Sequence, residues 1–410
     1  MKKRGFFYEE RTCCRIVCEK DICMLKKMIV FWCILVVFII VVVECGLRII
    51  DSSKNFMRAK VTREWQLTDT EAELMRIHNM QRKNVHNFGT SVRFSKDLYM
   101  LDEHNNYYVP LPHQSIAIVR NERVGHFALP YNAEIKSLLA DFQGEVYIRN
   151  YDELSMRKTY IDDERELPKP SVTVLNLGDS FTGGTYVNDE DTFSSYMERY
   201  TIDADDPVAI NVINAGISGY NTREHYFRLM DILRDRDSID IVVLHFFAND
   251  TGIVEHKLIG NWKPKEPQSK VGIWLFDHFL LAEILMDAYF SICAVPANPE
   301  KNNYLQEQWQ TCFGFLEKMN SECQKRNIRF MIAAIPSKEQ FLFGVKINYQ
   351  DKLREFCGEH DIIFLDPYEY LEENGGGTLY LDWDPHFRKE GHKIYGRFMY
   401  EYLSAYVAGG

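Results

Sequence analysis

A chain of 410 residues, 46% hydrophobic and 26% charged, has ordinary globular composition and room for one large domain with appendages. Its formal charge of −11 at pH 7 comes with no basic stripe in the globular part. That argues against a nucleic-acid partner, because a polyanion is held by clustered Lys and Arg.

The charge is unevenly placed. Before Met28, eight Lys/Arg stand against four acids, a net of +4 that leaves −15 for the remainder. Between the two lies Met28–Val43 (MIVFWCILVVFIIVVV), sixteen residues without a charge, and the apolar character continues past Glu44 to Leu47, Ile49 and Ile50. A helix of about 20 residues crosses the hydrocarbon of a bilayer, so 28–50 is expected to be a transmembrane anchor. Lys26 and Lys27 flank it on one side, Glu44 and Arg48 on the other. The basic N-terminal flank predicts residues 1–27 in the cytoplasm and everything after Arg48 outside. A cleaved signal peptide fits less well: the basic region is long, the apolar run exceeds a typical h-region, and no A-x-A-like site follows.

Six of the ten cysteines (Cys13, Cys14, Cys18, Cys23, Cys33, Cys45) lie in or before the anchor. Cys13, Cys14, Cys18 and Cys23 have no accompanying His and read as juxtamembrane thiols, open to acylation, rather than as a metal site. Cys293, Cys312, Cys323 and Cys357 follow in the exported part, and their disulfide state stays open. Cys312 and Cys323, eleven residues apart on one helical pattern, favour free thiols, since rigid helical spacing keeps their Cα atoms beyond disulfide reach.

Residues 51–98 are polar and weakly helical, with Leu74, Met75 and Ile77 at helix-like spacing, and predict a membrane-proximal stalk. From 99 to 170 short Tyr/Val/Ile runs broken by Pro, Asn and Gly (Tyr107–Pro112, Ser115–Val119, Glu145–Arg149) predict a small β-rich preamble, ending in the charged, proline-bearing linker around Asp162–Pro170. The main domain is expected over 171–410. There, apolar strand candidates at Val172–Leu177, Val208–Asn214, Ile239–Phe247, Ile328–Ile335 and Ile362–Leu365 alternate with helical patterns. Those patterns fall at Thr192–Tyr200, Thr222–Arg236, Trp274–Tyr289, Tyr304–Lys325, Tyr349–His360 and Lys389–Val407. Such alternation implies a parallel sheet of about five strands covered on both faces, a three-layer α/β/α sandwich. Trp262–Lys270 reads as a surface loop.

Chemistry is expected at the carboxyl ends of these strands. The first strand runs into Gly178-Asp179-Ser180, a strand–turn–helix setting that exposes a serine near a helix N-terminus. A serine nucleophile needs a base, and His386 is the candidate: it stands in Asp382-Trp383-Asp384-Pro385-His386, just before the last helix. Asp384, two residues earlier, can fix its tautomer, with Asp382 as a spare and Asp179 as a further secondary candidate. Oxyanion donors are sought at the next two strand ends, in Asn214-Ala215-Gly216-Ile217-Ser218-Gly219 and in Phe246-Phe247-Ala248-Asn249-Asp250. Other histidines, His245 and His392 among them, read as packing or surface residues, and the chemistry calls for no metal.

These four ordered blocks resemble the SGNH hydrolases of the GDSL esterase/lipase family, over roughly Val172 to Tyr402. They are Gly178-Asp179-Ser180-Phe181-Thr182 with Gly184, Asn214-Ala215-Gly216 with Gly219, Asn249-Asp250, and Asp384 with His386 followed by Gly391-His392. The arrangement is also similar to membrane-anchored bacterial members. The resemblance implies a flavodoxin-like α/β/α fold and ester hydrolysis without a cofactor. It implies Ser180 as nucleophile, His386 as base, Asp384 as acid, and oxyanion contacts from the Ser180 and Gly216 N–H groups and the Asn249 side chain.

Three departures from the family pattern stand out. Phe247 replaces a glycine and is expected to crowd the acyl site. Tyr186 replaces another glycine and is expected to form a lid over the cleft. A single residue separates Asp384 from His386, where many members have two. The expected activity is cleavage of O-acetyl or other short acyl esters, on a cell-surface glycan or lipid. An O-acetyltransferase acting on a surface polysaccharide, and a non-catalytic glycan-binding scaffold, are the alternatives.

Overall fold

The computed structural model describes residues 42–43, 67–81, 85–88, 92–102, 107–160, 171–204, 209–236, 238–254, 300–343 and 349–409. The expected anchor at 28–50, the cytoplasmic tail, the loop at 262–270 and the helical pattern at 274–289 lie outside the described residues or nearly so. Among the described residues no helix is long and apolar enough to cross a membrane. Leu67–Lys263 and Asn298–Gly410 together form one compact unit.

In chain order the unit begins with α1 (Asp69–Gln81) and the hairpin strands β1 (Val85–Phe88) and β2 (Val92–Ser95), followed by a second antiparallel pair, β3 (Tyr99–Asp102) and β4 (Tyr107–Pro110). Next come β5 (Ser115–Asn121), β6 (Gly125–Pro130), α2 (Ala133–Leu139) and β7 (Glu145–Asn150). The second part comprises β8 (Ser171–Gly178), α3 (Phe193–Asp203), β9 (Ala209–Asn214), α4 (Thr222–Asp235), β10 (Ile241–Phe246) and α5 (Glu300–Lys325). It closes with β11 (Arg329–Ala334), α6 (Lys338–Phe343), α7 (Tyr349–Glu359), β12 (Ile363–Leu365), α8 (Tyr368–Glu373) and α9 (Lys389–Gly409).

Five strands form one parallel sheet in the order β12-β11-β10-β8-β9. Both its faces are covered, which is why the strands read as near-continuous apolar runs. On one face Leu175, Leu177, Val242, Leu244, Phe246 and Ile332 pack with residues of α4, α5 and α7. On the other Val174, Ile241, Val243, Met331 and Ala333 pack with α3 and α9. Full burial of each of the Val, Leu, Ile, Met and Phe side chains contributes about 1.5–3 kcal/mol. The helices start where side chains cap them: Thr192 accepts the Ser195 N–H at 3.2 Å before α3, and Asn221 forms a reciprocal capping box with Glu224 at the head of α4. Cys312, Cys323 and Cys357 are buried free thiols.

From β8 the chain moves outward one way to β9, then returns past β8 to β10 and continues to β11 and β12. Strand order therefore reverses between β8 and β10, and the crevice at the carboxyl ends of those two strands is where an open α/β sheet accepts a ligand.

The segment expected to be β-rich carries strands β3 to β7, and the one expected to be a stalk is structured from Leu67 among the described residues. A three-stranded antiparallel sheet, β6-β5-β7, turns Ala117, Val119, Phe127 and Leu129 toward Leu74 of α1 and Ile135 of α2. From Leu67 onward, then, the segment expected to be a stalk is packed into the globular unit. The period of two along β5 sends Ile116 and Ile118 to the opposite face, where they meet Tyr151 and Tyr186 of the nucleophile loop.

Candidate active site

β8 delivers Ser180 to the switch point. Gly178 is demanded by close packing: a Cβ there would overlap the Thr182 side chain and lie 3.1 Å from the His245 carbonyl oxygen on β10. Asp179, fully buried, shapes the turn that follows. Its Oδ1 accepts the Phe181 N–H at 2.9 Å and its carbonyl accepts the Gly183 N–H at 2.8 Å. It is thus spent on the turn rather than on an imidazole.

His386 arrives from the far end of the domain on a pinned turn. Tyr380 and Phe387 form an antiparallel bridge, the Leu381 N–H donates to the His386 carbonyl at 2.9 Å, and the Tyr380 hydroxyl donates to the Pro336 carbonyl at 2.6 Å. Lys338 Nζ of α6 holds the Leu381 carbonyl at 2.6 Å. The imidazole then bridges two partners. Its Nδ1 is hydrogen-bonded to Asp384 Oδ1, which also accepts the His386 backbone N–H at 3.0 Å, and its Nε2 accepts from Ser180 Oγ at 2.6 Å. Nδ1–H donation to a carboxylate leaves Nε2 as the acceptor facing the hydroxyl. Burial pulls the Asp384 carboxyl upward, but the hydrogen bonds from His386 outweigh it and hold the group below the usual range. Asp382, the spare, has a side chain 92% exposed and pairs with Arg388 at 2.8 Å. It is not brought to the histidine.

Tyr186 is not a lid. It is buried, its ring lies 5.7 Å from the His386 ring and 4.8 Å from Trp383, and its hydroxyl hydrogen-bonds to Asp384. It therefore buttresses the acid. Phe181 also lies 5.0 Å from the imidazole ring and in turn packs against Phe247 at 4.6 Å. Phe247 is half-buried and leaves Ser180 accessible, so it forms a wall beside the site without closing it.

The donors for an oxyanion differ in part from the expected set. No hydrogen-bond partner is found among the described residues for the Ser180 N–H, which is open to a ligand. Gly216, by contrast, is buried against Thr182 and Gly183, and its N–H donates to Asn214 Oδ1 at 3.0 Å, so it is already committed. Two N–H groups of that loop, those of Ser218 and Gly219, have no hydrogen-bond partner among the described residues, and Gly219 has a φ of +83° that suits glycine. Asn249 stands exposed on the short helical turn Ala248–Val254. Beneath it the buried Asp250 accepts from the Phe247 N–H at 3.1 Å and pairs with His225 Nε2 at 3.2 Å, while the Thr222 hydroxyl donates to its carbonyl at 2.6 Å. Burial pushes the Asp250 carboxyl up to about 6.

His245 and His392 are internal packing residues. His245 Nδ1 meets the Tyr395 hydroxyl at 2.8 Å, and burial lowers both imidazoles to about 3, so they are neutral. Among the described residues no cluster of His, Cys, Asp or Glu could hold a metal ion.

Sequence reasoning missed three supports, all from before β8. The guanidinium of Arg157, fully buried, donates to the carbonyls of Gly183, Gly184 (2.6 Å) and Val187 (2.7 Å) and pairs with Asp189 at 2.9 Å. Arg149 donates to the Thr185 carbonyl at 2.6 Å. The Tyr108 hydroxyl donates to the Ser218 carbonyl at 2.6 Å. Each contact spans 26 or more residues, and no local pattern announces it.

The family model of GDSL-like lipases and acylhydrolases matches residues 177–394. The chain belongs to that family. As a GDSL-type acylhydrolase it is an ester-cleaving enzyme, and the matched span begins at the end of β8 and runs just past His386. No curated protein matches it. Solved structures similar to it include the psychrotrophic esterase EstA from Pseudoalteromonas sp., at 13% identity and a TM-score of 0.36, covering 58% of this chain and 98% of that one. A member of the lipolytic G-D-S-L family from Veillonella parvula gives 13%, 0.35, 56% and 97% on the same measures. A GDSL-like lipase from Bacteroides thetaiotaomicron gives 14%, 0.33, 57% and 88%.

Proposed function

We propose that this acylhydrolase is a serine esterase that removes acetyl or other short acyl groups from a hydroxyl-bearing surface molecule, an acylated glycan or lipid, on the outer side of a membrane. The observation that carries the reading is the hydrogen-bonded series Ser180 Oγ, His386 and Asp384. In the first step Ser180 Oγ attacks the ester carbonyl while its proton passes to His386 Nε2. The carbon–oxygen bond to the alcohol then breaks, and His386 returns the proton to the leaving oxygen. Water, deprotonated by the same nitrogen, hydrolyses the acyl-serine. Asp384 keeps the imidazole in the required tautomer, and Tyr186 holds Asp384.

The oxyanion is met by the Ser180 and Gly219 N–H groups and the Asn249 amide. The paired rings of Phe181 and Phe247 beside His386 favour a short acyl chain. The apolar segment 28–50 and the charge difference across it favour anchoring with residues 1–27 in the cytoplasm.

The test is a panel of p-nitrophenyl acetate, butyrate and palmitate, with Ser180→Ala as control. Turnover of acetate and butyrate that vanishes in Ser180→Ala is expected. Preference for palmitate overturns the short-chain reading. Acyl-enzyme that accumulates and turns over only when a carbohydrate hydroxyl is added assigns the chain to acyl transfer instead.

A further inference from the structure

The loop after β9 is held in place by a tyrosine from β4, well before the family domain begins. Tyr108 is fully buried, its ring edge-on to Tyr99 at 5.6 Å and to Tyr220 at 5.4 Å. Its hydroxyl donates to the Ser218 carbonyl at 2.6 Å. The Tyr220 hydroxyl returns the contact by donating to the Tyr108 carbonyl. Burial raises the Tyr108 hydroxyl well above its ordinary range, so it remains a donor at every working pH.

The carbonyl it grips belongs to the same peptide unit as the Gly219 N–H. In a planar trans peptide those two groups point in opposite directions. Fixing the carbonyl toward Tyr108 therefore turns the N–H away from it. The loop also stands beside the nucleophile: the Ser218 hydroxyl is 3.2 Å from Thr185 Oγ1, which donates to the Ser180 carbonyl at 3.2 Å. Gly219 suits the arrangement twice over, because its φ is +83° and because a Cβ would stand 3.0 Å from the Tyr108 hydroxyl. A hydrogen bond to the carbonyl also polarises the peptide and strengthens its N–H as a donor.

We propose that Tyr108 is a positioning residue for the oxyanion site, its hydroxyl fixing the Ser218–Gly219 peptide so that the Gly219 N–H faces the carbonyl under attack. The inference rests on the acyl-serine reading above. It places the specificity of this arrangement in the N-terminal part of the chain rather than in the four family blocks.

The experiment is Tyr108→Phe in the full chain, assayed with p-nitrophenyl acetate and with a fluorophosphonate, whose attack by Ser180 builds the same developing oxyanion. Removing one donor outright costs roughly 10²–10³ in turnover, so loosening one is expected to lower kcat roughly 10- to 30-fold. KM should hold within about twofold, the rate of fluorophosphonate labelling should fall by the same factor, and the shape of the pH–rate profile should not change, because the base is untouched. Tyr220→Phe also deletes a buried hydroxyl–carbonyl bond but leaves the one on Ser218, and should keep kcat within about threefold. Equal losses of kcat in the two variants, or a lowered melting temperature with unchanged kcat in Tyr108→Phe, would show a merely structural tyrosine and overturn the proposal. Absence of labelling in the unaltered chain would instead remove the acyl-serine reading itself.

Discussion

The rim of the parallel sheet and the N-terminal strands ahead of it meet at one site but do different work. The rim carries the groups proposed to act on the substrate: Ser180 after β8, the β9 loop, Asn249 after β10, and the Asp384–His386 turn before α9. The N-terminal part supplies none of these. It supplies Arg157, Arg149 and Tyr108, whose donors are spent on backbone carbonyls of the rim loops, and Arg120, which stacks on Trp383 at 3.6 Å next to Asp384. The lesson is that the internal contacts of Asp179 and Asn214 do not satisfy every group in these loops. Their remaining carbonyls need partners, and those of Gly183, Gly184, Thr185, Val187 and Ser218 find them before β8.

The comparison breaks most visibly at its centre. Ser180→Ala should reduce ester turnover by on the order of 10⁴ or more, and His386→Ala nearly as far, because members of such a set fail together. Initial rates on p-nitrophenyl acetate, with circular dichroism to show intact folding, check both. A comparable loss from any N-terminal variant of unchanged fold would dissolve the division of labour.

The rim was legible in the sequence for a physical reason. Buried parallel strands are apolar on both faces, so β8 to β12 stand out within a few residues, and small or polar residues at their ends mark where chemistry sits. What sequence could not tell was which groups are already in use. Gly216 and Gly219 lie in one loop, and only the fold shows the Asn214 side chain doubling back to take the Gly216 N–H. Tyr186 reads as an obstruction until its hydroxyl is seen on Asp384. Helix α1 reads as stalk because amphipathic spacing shows that a face will be buried but not against what.

The next largest effect falls on the supporting side. Arg157→Ala leaves Asp189 and three loop carbonyls without their buried partner, and should cost about 3–5 kcal/mol of stability, read as a lower denaturation midpoint. Asn249→Ala should leave the midpoint alone and lower kcat roughly 10²-fold, which sharpens the contrast between a residue that holds and one that acts. Tyr186→Phe, losing one hydrogen bond to a carboxylate, should lower kcat about 5- to 10-fold with little change in KM.

A further effect, confined to a pH interval, concerns Asp250, beneath Asn249. Its folded value of about 6 lies above the ordinary value of about 4. The protonated form therefore favours folding, and the stability it contributes falls as pH rises from about 4 to about 6. Asp250→Asn should flatten that decline, by on the order of 2 kcal/mol, in denaturation midpoints measured across the interval.

The most direct measurement is intact-mass and peptide mapping of the folded chain after reaction with a fluorophosphonate. A single adduct on Ser180 is expected, absent in Ser180→Ala and formed far more slowly in His386→Ala. A folded chain that takes no label, or takes it at another residue, or reacts equally fast without the imidazole, would contradict the acyl-serine reading.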